Sequence, residues 1–286
     1  MSHVHFIDGT AYDATAFGQY DANGVWTINT SPSVTYGNNG FFILKDGNSV
    51  TDQSGNSNNW TVAGGTLTNT EDNPSNVFAV INALDTTVPT ANPVIISNGN
   101  TVLTGTNGTG IVGACATIAV SQGKYYFEVS RLGTATYAYV GVVKPGIGNI
   151  TNITGTLPIC SYRNNGSTYS NLSVGTQDTW NTDGDIIMCA MDMDNGAIYF
   201  GKNGSWLNSG NPLSGATQTG AFGSFTPNSS DYYAPVLAGY NNTTGLRANF
   251  GNGYFGTTAV ASAGTNASGI GIFEYDVPTG YTALST

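Results

Sequence analysis

GDIIMCAMDMDNGAIYFGKNGSW, residues 184–206, decides the fold of this chain. Asp185–Met191 is apolar on both alternating faces, which suits a central strand covered on both sides. Asp194-Asn195-Gly196 supplies the residues of a tight hairpin turn, and the apolar run Ala197–Gly201 answers it. Lys202-Asn203-Gly204 is a second turn. Apolar runs joined by such short turns predict consecutive antiparallel strands.

The same pattern extends in both directions. Strands are predicted over 101–105, 114–120, 124–130, 136–143, 158–162, 185–193, 196–201, 233–239 and 245–250, with turn signals between them. This rhythm is that of a sandwich or barrel. In YYFEVS, Tyr125, Phe127 and Val129 share one face and Tyr126, Glu128 and Ser130 the other, so a half-exposed strand is expected. Nearer the start, VWTI and FFILK follow Asn-Gly turns, and Trp60 opens a further expected strand. Residues 84–95, with Pro89 and Pro93, read as an extended crossing. Short helical turns fit 11–18 and 266–270. Phe273, Tyr275 and Tyr281 are expected to dock the C-terminus onto the body.

Composition narrows the function classes. The 286 residues carry only 8% charged side chains but 40% apolar ones and 39 glycines. That excludes helical bundles and fits one large or two small β domains. Seven Lys and Arg against seventeen Asp and Glu give a net charge of −10, so no basic patch for nucleic acid or an anionic membrane surface is expected. No apolar run approaches a membrane span, and MSHVHFIDG has no secretory pattern. Cys115, Cys160 and Cys189 lack metal or disulfide spacing and read as buried thiols.

Four stretches in order carry a resemblance: GKYYFEV (123–129), SYRNNGSTYSN (161–171), residues 184–206, and YYAPVLAGYNNTTGLRANFG (232–251). Together they resemble the SPRY domain, a bent β-sandwich related to the concanavalin A-like jelly rolls. FIDGTAYDATAFGQYDANGVW (6–26), YGNNGFFILKD (36–46), DQSGNSNNWTV (52–62) and EDNPSNVFAVIN (71–82) are similar to tail-fibre and other virion proteins of tailed bacteriophages. So is the close, FEYDVPTGYTALST. The resemblance implies an all-β chain with an N-terminal attachment and oligomerisation segment over 1–50, HVHFI being its first strand, and a SPRY-like antiparallel sandwich over 51–286. It also implies ligand contact through loops at one end of the sandwich, one of which corresponds to 161–172.

Catalytic chemistry finds little footing. Asp183, Asp185, Asp192 and Asp194 read as turn chemistry rather than a glycosidase pair or a calcium loop, whose twelfth position holds Asn203. His3 and His5 are the only histidines and read as ordinary strand residues, neither a triad base nor metal ligands shared between subunits. Gly105, Gly108 and Gly110 lack the Lys of a phosphate loop. No catalytic residue, metal or cofactor is expected. The candidate ligand contacts are Tyr162, Arg163, Asn164, Tyr169, Tyr137, Trp206 and Tyr240, because lectin sites stack sugar rings on aromatics and satisfy hydroxyls with Asn, Asp and backbone groups. The expectation is a non-enzymatic virion protein, a tail-fibre or receptor-binding component touching host surface glycan or protein. It would join other virion proteins through its N-terminal segment and assemble as a homo-oligomer, a trimer by analogy, without nucleic acid or membrane insertion. The alternatives are a capsid decoration or head-fibre protein and, last, a glycan depolymerase.

Overall fold

The computed structural model describes residues 3–20, 24, 26–45, 49–64, 67, 77–85, 94–105, 111–133, 137–145, 160–240 and 245–286. The chain divides into two compact units, Met1–Val77 with Thr286, and Phe78–Ser285. The division falls at Val77/Phe78, whereas the sequence reading placed it after residue 50. The physical reason is Asp52, which ties the following loop back onto the N-terminal unit.

In the N-terminal unit, β1 (Val4–Phe6) pairs antiparallel with β4 (Phe41–Ile43), and β2 (Gly18–Tyr20) with β3 (Trp26–Ile28). A 3-10 turn at Ala14–Ala16 is capped by Asp13, whose carboxylate accepts the Thr15 amide. The buried Asp52 carboxylate accepts the amides of Phe42 and Ser54 at 2.8 Å and of Asn58 at 2.9 Å. Burial alone would raise its pKa, but these bonds and the Ser54 hydroxyl hold it below the ordinary carboxylate value. Asn58 Nδ2 donates to the carbonyls of Asn38 and Gly40, both at 2.9 Å. His5 stacks on Phe42 at 4.0 Å and its Nδ1 meets Tyr36 Oη at 2.8 Å. Trp60 does not open a strand: its amide donates to Val50 O, and its ring meets Phe41 edge-on at 5.1 Å.

The second unit is built of β5 (Val94–Ser97), β6 (Val102–Gly105), β7 (Ile111–Cys115), β8 (Lys124–Leu132), β9 (Tyr137–Val143), β10 (Cys160–Arg163), β11 (Thr168–Ser170), β12 (Ile186–Asp192), β13 (Ala197–Lys202), β14 (Ser205–Trp206), β15 (Gly223–Ser224), β16 (Ala234–Tyr240), β17 (Gly245–Asn249), β18 (Tyr254–Phe255), β19 (Thr258–Ala259) and β20 (Thr282–Ala283). One sheet runs β11-β10-β9-β16-β7. The larger runs β14-β13-β12-β8-β17-β6-β5, with β15 on β13 and β20 on β8. Their core gathers Phe127, Val140, Tyr162, Trp180, Cys189 and Phe200. Cys115, Cys160 and Cys189 are buried thiols, and burial raises the Cys160 and Cys189 pKa values. Most of the crossing expected over 84–95, with Pro89 and Pro93, lies outside the described residues, as do Gly108 and Gly110.

The 184–206 reading holds in detail. Strands β12 and β13 pair from Ile187↔Lys202 to Asp192↔Ala197. Asp192 turns the hairpin by accepting both the Asn195 amide, at 3.0 Å, and its side-chain amide, at 2.9 Å. Gly196 lies at φ +69°, where a Cβ would stand 1.9 Å from Phe225 O, so only glycine fits.

Strand β8 differs from expectation. It is covered on both faces, not half exposed. Tyr126 meets Phe273 edge-on at 4.9 Å, and Glu128 accepts the amides of Glu274 and Tyr275, each at 2.9 Å. Beyond β17, which pairs with β8 only as far as Glu128, β20 continues the same edge in parallel, Thr282↔Tyr125 and Ala283↔Tyr126. The C-terminal segment thus docks where the alternation pattern left an open face. Burial carries the Glu128 pKa up to about 7 despite its three hydrogen bonds.

Candidate functional site

Alternation decides what the five-stranded sheet presents. Ala138, Val140 and Val142 of β9 enter the main core, while Tyr137, Tyr139 and Val143 belong to a second cluster on the opposite face. On β10 the same parity sends Cys160 and Tyr162 inward and sets Arg163 on that opposite face, directly across from Tyr139. Tyr169 of β11 joins the cluster through its pairing with Ser161.

Three of the seven predicted contacts therefore meet. The Arg163 guanidinium lies 3.6 Å from the Tyr137 ring centroid and 5.8 Å from that of Tyr139. The Tyr139 and Tyr169 rings stand 6.1 Å apart, tilted by 46°. Arg163 Nε is buried without a hydrogen-bond partner among the described residues. Burial pushes the Tyr139 phenol up to about 12, although the Arg163 charge opposes the shift. An arginine fork held over tyrosine is suited to stacking and to planar acceptors such as carboxylates and amides.

The other four predicted residues are placed differently. Tyr162 is a core residue at 0% exposure: it packs on Trp180, Phe200 and Phe222 and donates its hydroxyl to Asp178 O. Asn164 is buried as a brace, with Oδ1 accepting the Ala138 amide at 3.0 Å and Nδ2 donating to Asn181 at 2.7 Å. Both were expected in an open loop, but 161–172 folds mainly as β10, a tight turn and β11. Trp206 lies in a separate cleft with Tyr275, Glu274 and Asp276. The Tyr240 backbone pairs with Tyr137, while its side chain lies outside the described residues. Residues 274–276 were missed as site candidates, because FEYDV reads equally well as a docked terminus.

The acidic pairs are structural. Asp183 accepts the Gly133 amide and pairs with Arg247 at 3.0 Å. Asp185 accepts the Thr182 amide and Asn203 Nδ2, each at 3.0 Å. Asp192 pairs with Lys124 at 2.9 Å, and Asp194 accepts the Gly123 amide at 2.7 Å. Among the described residues no group of His, Cys, Asp and Glu could hold a metal ion.

Comparison with family models agrees with the architecture. Residues 124–252 match the SPRY domain family. The solved SPRY domain of human HERC1 is similar, at 22% sequence identity and a TM-score of 0.43, over 54% of this chain and 91% of that one. No curated protein matches the sequence. The antiparallel two-sheet unit that carries Arg163 and its tyrosines is SPRY-like in fold.

Proposed function

We propose that this chain is a non-enzymatic adhesion component of a tailed-phage virion, a tail-fibre or receptor-binding protein contacting host surface glycan or protein. The Arg163–Tyr137–Tyr139–Tyr169 cluster carries this reading. It joins the partly exposed rings of Tyr137 and Tyr169 to a guanidinium fixed over buried Tyr139, on a sheet face of an interaction-type fold. The structural use of Asp183, Asp185, Asp192 and Asp194 favours binding over hydrolysis. The N-terminal motifs favour a virion setting. There, an apolar cavity of about 280 Å³, lined by residues including Val4, Ile43, Val50 and Trp60, suits attachment to another virion protein. Assembly as a trimer would multiply weak contacts into firm attachment.

Binding of fluorescently labelled protein to host cells tests the reading. Arg163→Ala, assayed well below its own unfolding midpoint, is expected to lower binding about tenfold, and undiminished binding overturns the role of the cluster. Immunogold labelling of virions tests the location. Label on fibres or tail tip supports adhesion, and label over the capsid replaces it with decoration.

A further inference from the structure

The segment that covers β8 also builds a cleft of about 550 Å³. The turn at Gly204 and the ring of Trp206 line it from one side, and Gly264, Glu274, Tyr275 and Asp276 from the other. Its walls are held in place. The Gly204 amide donates to Met188 Sδ at 3.2 Å, and the Gly264 amide to Phe273 O at 2.9 Å. Glu274 Oε2 accepts the Ala261 amide and Asp276 Oδ1 the Thr265 amide, both at 2.7 Å. Gly204 lies so close to Tyr275 that a Cβ there would stand 3.0 Å from the ring. Such a cleft needs little ordering on binding.

Its chemistry has one sign. Glu274 and Asp276 each keep a second carboxylate oxygen without a hydrogen bond among the described residues. Glu128 sits behind them, holding the Glu274 and Tyr275 amides. Among the described residues no Lys, Arg or His lines the cleft. The nearby Lys202 ammonium is engaged by Thr179 O at 2.6 Å and Asp185 at 3.7 Å. Trp206 and Tyr275 add aromatic surface, which attracts cations and stacks on sugar rings.

We propose that this cleft binds an amino sugar bearing a free ammonium group, the ammonium between Glu274 and Asp276 and the sugar ring against Trp206 and Tyr275. A neutral ring would offer the two carboxylates hydroxyl groups but no counter-charge. An anionic sugar would be repelled by them. The site is separate from the Arg163 cluster, so Arg163→Ala leaves it intact and the two readings fail independently.

Isothermal titration of the full chain at about pH 6 with a glucosamine tetramer, against its N-acetylated counterpart, tests the proposal. The free-amine tetramer is expected to bind about tenfold tighter or more, and to weaken as NaCl rises from about 50 mM to about 500 mM. The double variant Glu274→Gln, Asp276→Asn keeps the carbonyl acceptors for the Ala261 and Thr265 amides and is expected to lose about tenfold in affinity. Equal affinity for the two tetramers, binding indifferent to salt, or no binding of the free amine at millimolar concentration overturns the proposal. The salt and acetylation comparisons use the unaltered protein, so a misfolded variant does not blunt the test.

Discussion

The two units are held together by different physics. The Phe78–Ser285 unit wraps two sheets around a continuous apolar core, and its polar groups serve the turns. The Met1–Val77 unit pairs short strands and organises them around one buried carboxylate, Asp52, two asparagines and a stack of His5, Phe42 and Tyr36. The lesson is one of legibility. Apolar alternation announces the first kind of structure in the sequence, whereas hydrogen-bonded loops leave only an excess of Asn, Asp, Ser and Gly.

The comparison breaks most visibly at Tyr162. Tyr162→Ala is expected to cost about 3–5 kcal/mol of unfolding free energy, read by urea denaturation of the second unit. A cost near zero would return Tyr162 to the surface.

The units should also answer pH with opposite signs. Burial raises Glu128 from 4.5 to about 7, so the folded sandwich holds that proton more tightly than the unfolded chain. The stability this brings is complete below pH 4.5 and is lost as pH rises through about 7, a change of about 3 kcal/mol. Burial and the His3 charge lower His5 from 6.5 to about 4. The unfolded chain therefore takes the His5 proton first, and stability present above pH 6.5 is lost as pH falls through 4. Amide hydrogen exchange between pH 4 and 8 should show the sandwich strengthening, and the N-terminal unit weakening, on acidification. Glu128→Gln should flatten the first trend and leave the second. Parallel trends in the two units would contradict both assignments.

Asp52→Ala should cost the N-terminal unit about 2 kcal/mol, because it strands the amides of Phe42, Ser54 and Asn58. Exchange at those amides should quicken while that at β8 and β12 stays unchanged. Uniform quickening in both units would erase their independence. The smallest expected effect is at Gly204, where φ is +87°. Gly204→Ala should cost about 1 kcal/mol and shift the Tyr275 ring resonances in NMR spectra, sharpening the view of the cleft wall.

Most strands of the second unit, the 184–206 hairpin and the SPRY-like sandwich were legible in the sequence; the order of the strands in the sheets was not. The hairpin and the antiparallel sandwich follow from short-range chemistry, alternation and Asn-Gly turns, and the SPRY likeness from four motifs in order. Of the candidate site, the sequence marked Arg163, Tyr137 and Tyr169 but put Tyr162 and Asn164 beside them. Only the tertiary structure separated them, because adjacent strand residues point to opposite faces and alternation does not say which face is covered. The same limit explains β8. Its second face became core only when Phe273, Glu274 and Tyr275, more than a hundred residues later in the chain, closed over it. That closure also made the Trp206 cleft, which no local pattern could announce.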